Sequence, residues 1–314
     1  MSLNKNLIEN LIDITSQAAI SCYPHLGKGN KMLADKAATD VMRYNLNKLN
    51  IDGEVVIGEG ELDEAPMLYI GEKLGNTNGP KIDIAVDPVE GTNFVAKNLP
   101  GAISVLAISE KGNLFKAPET YMNKIAIGPG YPEGIIDLDA SPSENIISIA
   151  KAKGVSPEEI TVCILDRERH ASHIESTRSV GASVYLIPDG DVAGVIMTTQ
   201  SHSMVDVYMG IGGAPEGVLA AAALQCIGGQ MQARLVINND DEKERATKIG
   251  ISDLNKKYYL NELASGDIIF SATGVTEGTM VKGIRKLNNH YVTHSLVLRT
   301  SDAPSQYIET HHLI

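Results

Sequence analysis

Apolar residues recur at helical spacing in the first part of the chain, with Leu7, Leu11, Ile14 and Ala18 on one stripe, predicting an amphipathic helix to about Ile20. After a Gly27–Lys31 loop, Ala34 to about Leu49 reads as a second helix that turns Ala38, Val41, Met42 and Leu49 toward a core. The period then changes. Glu54 to Ile57 is a short strand, and Pro66 is expected to open a helix from Met67 to about Leu74. Ile82, Ile84 and Val86 alternate with Asp83 and Ala85, which predicts a strand ended by Asp87-Pro88. Ile103 to Ile108 is the next strand, followed by a hairpin turn at Lys111-Gly112-Asn113.

From Gly128 to Ser143 the chain is rich in Gly, Pro, Asp and Ser, so the domain boundary is placed just beyond, with Asn145 to Lys153 as a connecting helix. Strands at Ile160–Leu165 and Val184–Ile187 alternate with helices, predicting a largely parallel sheet. Ala214-Pro215-Glu216 starts a helix that is almost wholly apolar from Val218 to Leu224, and hence buried. Asn238 to Arg245 reads as a solvated charged loop. Ile268–Gly274 and Val292–Arg299 look like late strands, with Ser271-Ala272-Thr273-Gly274 as a structural turn. The expectation is an α/β protein of two stacked sheet-and-helix domains, residues 1–155 and 156–314.

Composition narrows the function. The 314 residues are 43% hydrophobic and 21% charged, the balance of a globular chain. With 27 basic and 39 acidic side chains the net charge is -12, which argues against nucleic-acid binding through the phosphate backbone. An acidic protein that handles phosphates needs cations to offset repulsion. Three cysteines, Cys22, Cys163 and Cys226, have no paired spacing, so buried thiols in a reducing compartment are expected rather than disulfides or zinc. The N-terminus has no signal-peptide pattern, and no run nears the ~20 apolar residues of a membrane span. A cytoplasmic protein follows.

The chemistry concentrates at Asp87-Pro88-Val89-Glu90-Gly91-Thr92, where two carboxylates, a free Val89 carbonyl and a Gly-Thr turn suit a divalent cation bridged to a phosphate. An ordinary strand-to-turn junction fits the same spacing. Glu59, flanked by Gly58 and Gly60, can turn toward a site. Asp35 is a helix first-turn acid as readily as a ligand. Glu216, at the start of a buried helix, is costly unless paired, and a metal ion is a suitable partner. Arg167 and Arg169 follow a strand end and suit phosphate oxygens, and Asp189 and Asp191 could bond sugar hydroxyls or form a plain turn. Gly210-Ile211-Gly212-Gly213 lacks the third glycine of a dinucleotide fingerprint, so that reading is rejected.

Asp87-Pro88-Val89-Glu90-Gly91-Thr92 resembles the signature of the metal-dependent, lithium-sensitive sugar phosphatase superfamily, which includes inositol monophosphatases and fructose-1,6-bisphosphatases. Val56-Ile57-Gly58-Glu59-Gly60-Glu61, the Asp63–Glu72 stretch and Ile211-Gly212-Gly213-Ala214-Pro215-Glu216-Gly217-Val218 extend the match. Together they resemble the class II fructose-1,6-bisphosphatases over nearly the whole chain. The resemblance implies a layered fold of the sugar phosphatase type and gluconeogenic hydrolysis of the 1-phosphate of fructose 1,6-bisphosphate. It implies Mn²⁺ or Mg²⁺ held by Asp35, Glu59, Asp87, Val89, Glu90 and Glu216, and water handled by Thr92 and Asp63. It further implies a sugar bisphosphate gripped by Glu90, Gly91, Thr92, Tyr121, Arg167, Glu168, Arg169, Asp189, Gly190, Asp191 and Gly213. The chain departs from the family's Lys-Asn-Thr-Ala-Asp at Lys31-Met32-Leu33-Ala34-Asp35 and from its Lys-Pro-Arg-His at Arg167-Glu168-Arg169-His170. Sedoheptulose 1,7-bisphosphate, an inositol or nucleotide monophosphate, or a non-catalytic sugar-phosphate sensor stand as alternatives. A homo-oligomer is expected, with no nucleic-acid or membrane partner.

Overall fold

The computed structural model describes residues 3–58 and 68–314. Helices α1 (Asn6–Cys22) and α2 (Lys31–Leu46) come first, then β1 (Asp52–Ile57), β2 (Lys73–Leu74), β3 (Lys81–Glu90), α3 (Thr92–Lys97) and β4 (Ile103–Glu110). A second run contains β5 (Tyr121–Ile127), α4 (Pro142–Lys153), β6 (Thr161–Leu165), α5 (Ala171–Ser179), β7 (Ser183–Ile187) and α6 (Asp191–Met197). It continues with β8 (Val207–Gly213), α7 (Ala214–Ile227), β9 (Gln230–Val236), α8 (Asp240–Lys248), β10 (Tyr258–Tyr259) and α9 (Leu260–Leu263). The chain closes with β11 (Ile268–Gly274), β12 (Arg285–Leu287), β13 (His290–Arg299) and β14 (Asp302–Leu313). The class is mixed α/β, as the alternation predicts.

The described strands form two sheets. Eight run in the order β12-β13-β11-β4-β3-β1-β2 with β14 on the far side of β13, and six run β10-β9-β5-β8-β6-β7. The expected split at residue 155 does not hold. One compact unit takes Met1–Phe115 and Ser265–Ile314, and the other takes Lys116–Ala264. The cause is β11, whose seven residues are all buried and which pairs antiparallel with β4 from Ile268↔Ser109 to Gly274↔Ile103. An apolar run shows that a strand is buried but not which strand it pairs with. Helix α4, expected as a connector, buries Ile146 and Ile149 inside the second unit's core with Ile125, Val162, Ile164 and Val207.

Within the first unit α1 buries Leu7, Leu11, Ile14 and Ala18 as its periodicity predicts. Thr15 lies on the same buried face. Its Oγ1 donates to the Leu11 carbonyl at 3.0 Å, lies 2.9 Å from Ser271 Oγ and accepts from Thr273 Oγ1 at 2.8 Å. Thr273 Oγ1 in turn meets Ser295 Oγ of β13 at 2.7 Å. The predicted turn at Ser271–Gly274 is therefore the interior of a strand, and its polar residues are tolerated because the hydroxyls satisfy one another.

Strand β3 also departs from expectation by running through Asp87-Pro88 to Glu90. One extra residue is absorbed there, since Asp87 lies opposite Val105 but Glu90 lies opposite Ile103. A bulge is where a strand can accept proline. The Lys111–Asn113 turn does not lead into a hairpin, because the next strand, β5, joins the other sheet. Asp83 holds that turn instead, accepting from the N–H groups of Gly112 at 2.6 Å, Asn113 at 3.1 Å and Leu114 at 3.3 Å. Burial lifts its carboxyl above the usual range, with these N–H groups opposing the rise.

Of the helix predicted from Met67 to Leu74, Met67 lies outside the described residues, and Leu68–Leu74 is not helical. Gly71 adopts φ +95° and Lys73-Leu74 forms an edge strand on Glu54 and Gly53. The predicted charged loop after Asn238 is mostly helix α8. Asn239 caps it by accepting from Glu242 N–H at 2.9 Å, with acids in its first turn and Arg245 and Lys248 in its last. Parallel pairing in the second sheet is confined, among the described residues, to β6–β7 and β6–β8, so that sheet is mixed rather than largely parallel. Cys22 and Cys163 are buried free thiols and Cys226 is half-buried. Among the described residues, no helix is long and apolar enough to cross a membrane.

An ion pair fastens the beginning of the described chain to the first sheet. Arg299 Nη2 donates to Asp267 Oδ2 at 3.0 Å and to the Leu3 carbonyl at 2.7 Å, while Leu3 N–H donates to Asp267 Oδ2 at 2.7 Å. Burial would raise the Asp267 carboxyl, but Arg299, the Leu3 N–H and Thr300 outweigh it and hold the group below its usual range. A depressed carboxylate stabilises the fold above its unfolded pKa, near 4, and loses that contribution as pH falls through the lower folded value. Arg299→Met should therefore cost about 3–5 kcal/mol at pH 7, as expected when a buried pair loses one member. Urea unfolding at pH 7 and pH 3 should show a smaller difference from wild type at pH 3. An equal difference at both pH values would refute the electrostatic account.

Candidate active site

The bulge in β3 and the helix that follows it set the first group of candidate residues. Asp87 and Glu90 are 9% and 4% exposed. Asp87 Oδ1 accepts from the Val89 N–H at 3.0 Å, which closes a tight turn over Pro88. Gly91 then takes φ +85° as the N-cap of α3, a conformation that favours glycine, and a Cβ there would lie 2.6 Å from the Phe94 ring. Thr92 is the first helical residue. Its neighbour α2 carries Asp35, 8% exposed and part of the helix's inner face. Burial pushes the Cys22 thiol up to about 12; Ser21 opposes the rise and the nearby Asp35 carboxylate adds to it.

Asp35, Asp87 and Glu90 are oxygen donors of the kind hard divalent cations take. Glu59 and Asp63, the other acids implied for this side of the site, lie outside the described residues. Among the described residues, no three His, Cys, Asp or Glu side chains are arranged to hold a metal ion.

The second unit gathers its candidates around a residue that the sequence reading passed over, Lys124 in β5. Its side chain is fully buried, with Nζ bonded to Asp191 Oδ2 and to the Gly213 carbonyl, the latter at 2.8 Å. Asp191 is the first residue of α6, reached through Gly190. Glu216, in the first turn of α7, has a buried Oε2 with no hydrogen-bond partner among the described residues. Burial raises its carboxyl, and Asp191 raises it further, while Lys124 opposes both. Two glycines make room for these acids: a Cβ on Gly212 would overlap Asp191 Oδ2, and one on Gly213 would overlap Glu216 Oε2. A lysine in the middle of Tyr121-Met122-Asn123-Lys124-Ile125-Ala126-Ile127 was the available signal, since lysine is rarely buried unless paired.

The remaining candidates line the same sheet. Tyr121 opens β5 directly opposite Gly213 and is 45% exposed. The Arg169 guanidinium lies 4.8 Å from the centre of its ring and donates to the Ile211 carbonyl through Nε at 3.0 Å and Nη2 at 2.8 Å. The loop carrying Arg169 is pinned by His170, which is fully buried. Ile211 N–H donates to His170 Nε2 at 2.8 Å, so Nδ1 bears the proton and donates to the Leu165 carbonyl at 2.8 Å. Burial, with that carbonyl opposing it, holds the imidazole below its ordinary pKa. Burial likewise raises the Asp189 carboxyl, and Arg167 opposes the rise. Glu168 is exposed on the short turn between Arg167 and Arg169. The second unit therefore brings Tyr121, Arg169 and Gly213 together, and Asp191 and Glu216 around Lys124.

A sequence model of the glpX-encoded bacterial fructose-1,6-bisphosphatases matches residues 5–312. A Prochlorococcus marinus protein described as D-fructose 1,6-bisphosphatase class 2/sedoheptulose 1,7-bisphosphatase is 42% identical over 99% of this chain and 97% of its own. An Escherichia coli protein described as fructose-1,6-bisphosphatase 1 class 2 is 43% identical over 96% of this chain and 93% of its own. A solved structure titled inositol monophosphatase-fructose 1,6 bisphosphatase gives a TM-score of 0.34 at 12% identity, covering 66% of this chain and 75% of that one.

Removing Lys124 leaves Asp191 buried without its cation. Lys124→Met should destabilise the protein by about 3–5 kcal/mol, and Lys124→Met with Asp191→Asn should recover a large part of that loss. Chemical denaturation of both variants checks it. A double variant no more stable than Lys124→Met would refute the charge argument.

Proposed function

The chain belongs to the glpX-encoded family of bacterial fructose-1,6-bisphosphatases, and on that premise we propose that it is a metal-dependent phosphatase hydrolysing the 1-phosphate of fructose 1,6-bisphosphate to fructose 6-phosphate and phosphate. The family match and the identity to the E. coli relative support the substrate. The observation that carries the metal is Glu216, a buried carboxylate whose Oε2 has no hydrogen-bond partner among the described residues. A buried acid in that state is expensive unless a cation completes it.

Asp35, Glu59, Asp87, the Val89 carbonyl, Glu90 and Glu216 would hold Mn²⁺ or Mg²⁺. Such ions, when bound, make water more acidic and neutralise charge on the leaving oxygen. Asp63 would take the proton from the attacking water, and Thr92 would orient that water toward phosphorus. The N–H groups of Gly91 and Thr92 would hold the phosphoryl oxygens as charge builds on them. Tyr121, Arg167, Glu168, Arg169, Asp189, Gly190, Asp191 and Gly213 would grip the sugar and its second phosphate, with Arg169 already held in place by Ile211 and Tyr121. We place the reaction in the cytoplasm, as a gluconeogenic step of a homo-oligomeric enzyme. One observation favours a second substrate: the Prochlorococcus relative carries sedoheptulose 1,7-bisphosphatase in its description.

Phosphate release from fructose 1,6-bisphosphate should require Mn²⁺ or Mg²⁺ and stop with EDTA. Glu216→Gln should lower kcat by roughly 100-fold or more, the scale of losing one preorganised electrostatic group, and should weaken Mn²⁺ binding measured by calorimetry. Turnover of sedoheptulose 1,7-bisphosphate beside it ranks the two substrates. Release that continues unchanged in EDTA would overturn the metal assignment, and sugar-phosphate binding without release from either substrate would favour a sensor.

A further inference from the structure

We infer that β14 is a homodimer edge, pairing antiparallel with β14 of a second copy about a two-fold axis at Thr310, so that the two eight-stranded sheets become one. The inference gives the expected homo-oligomer a surface and is independent of the phosphatase reading.

Strand β14 is twelve residues long and, among the described residues, pairs only with β13. The register is regular from His290↔Leu313 to Val297↔Gln306. Ile314 N–H donates to Asn289 O at 2.9 Å, which continues that register by one step. In an antiparallel ladder residues alternate between facing the partner strand and facing away. Residues in phase with Ile314, including Thr310, therefore bond to β13. Glu309, His311 and Leu313 turn their N–H and C=O groups outward. A long outward row of this kind is a template for another strand, and natural edges usually block it with charged side chains, lysine above all, with proline or with a bulge. Between Gln306 and Leu313 this edge has no lysine, proline or bulge, and its one carboxylate is Glu309.

Charge selects the partner and the register. A two-fold axis at Glu309 would set two carboxylates face to face, and one at His311 would set two imidazoles face to face. An axis at Thr310 puts Glu309 of each strand opposite His311 of the other, twice, so that a carboxylate can accept from an imidazole N–H. The same register brings Leu313, 85% exposed, opposite Tyr307, 45% exposed. Glu309 is already oriented on this face, bonded by Arg285 Nη2 at 2.6 Å and lying 3.6 Å from its own His311. An isologous contact needs a self-complementary patch, and this edge supplies one.

Sedimentation velocity on the full chain, with circular dichroism and phosphate release as checks of folding, tests the inference. The wild type should be a dimer or a higher even oligomer. His311→Glu should raise the dimer Kd by about tenfold or more, because two symmetry-related pairs become repulsive. The swap Glu309→His with His311→Glu should restore association. His311→Pro, which removes an outward N–H and spares the β13 ladder, should also dissociate the dimer. A monomeric wild type, or an oligomer that survives both His311→Glu and His311→Pro, would overturn the inference, and binding of a different protein at this edge by a monomeric chain would do the same.

Discussion

Carboxylates withdrawn from water must find protons, donors or cations, and the arrangement of both units follows from that constraint. The chain has twelve more acidic than basic side chains, and several of its acids lie inside. Each buried acid answers the constraint in its own way. Asp83 collects three backbone N–H groups and in doing so fixes the turn after β4. Asp267 takes Arg299 and ties down Leu3. Asp191 takes Lys124. The first two are structural solutions, each complete in the folded chain, and the third holds a proposed substrate-binding residue in place. Glu216 is different, because its buried Oε2 is left without a hydrogen-bond partner among the described residues.

Much of this was legible in the sequence where a local pattern decides the outcome. The stripe of Leu7, Leu11, Ile14 and Ala18 gave α1, and Pro215 with the apolar run to Leu224 gave α7. The cluster from Asp87 to Thr92 was found because two carboxylates and a Gly-Thr turn at one strand end suit a cation and a phosphate, although the same residues also make ordinary turns. What was missed depends on distant partners. Nothing near Ile268 shows that it will lie beside Ser109, so the late strands were assigned to the wrong unit. The hydroxyls of Ser271 and Thr273 read as a turn because their partners, Thr15 and Ser295, lie on other elements. Lys124 was overlooked because no element was read over Tyr121–Ile127 and its partners, Asp191 and the Gly213 carbonyl, lie far along the chain. Helix α8 was read as a loop since Ala246 alone of its residues is buried.

The glycines at 212 and 213 show why the family's third motif has the residues it has. Neither needs a left-handed backbone, as Gly91 does. Instead each lies under a carboxylate, Gly212 under Asp191 and Gly213 under Glu216, where a single methyl group would collide with the acid. The motif therefore specifies empty space at two adjacent points, and the carboxylates fill it. Lys124 joins them from below by bonding both Asp191 and the Gly213 carbonyl, so one cation sets the position of a side chain and of the backbone that supports its neighbour.

Lysine is a physically apt choice for that place. Its single ammonium has three donors, enough for Asp191 and Gly213 O, on a flexible stem that fits a strand interior. With one ammonium beside two acids, Lys124 bonds Asp191 and not Glu216. Burial and Asp191 push the Glu216 carboxyl upward, a cost that Lys124 opposes only in part. A divalent cation would relieve it further than a proton can, because it adds charge without removing the carboxylate's second lone-pair site. The place that such a cation would occupy lies at a glutamate set in the first turn of α7, with Gly213 leaving room for its carboxylate.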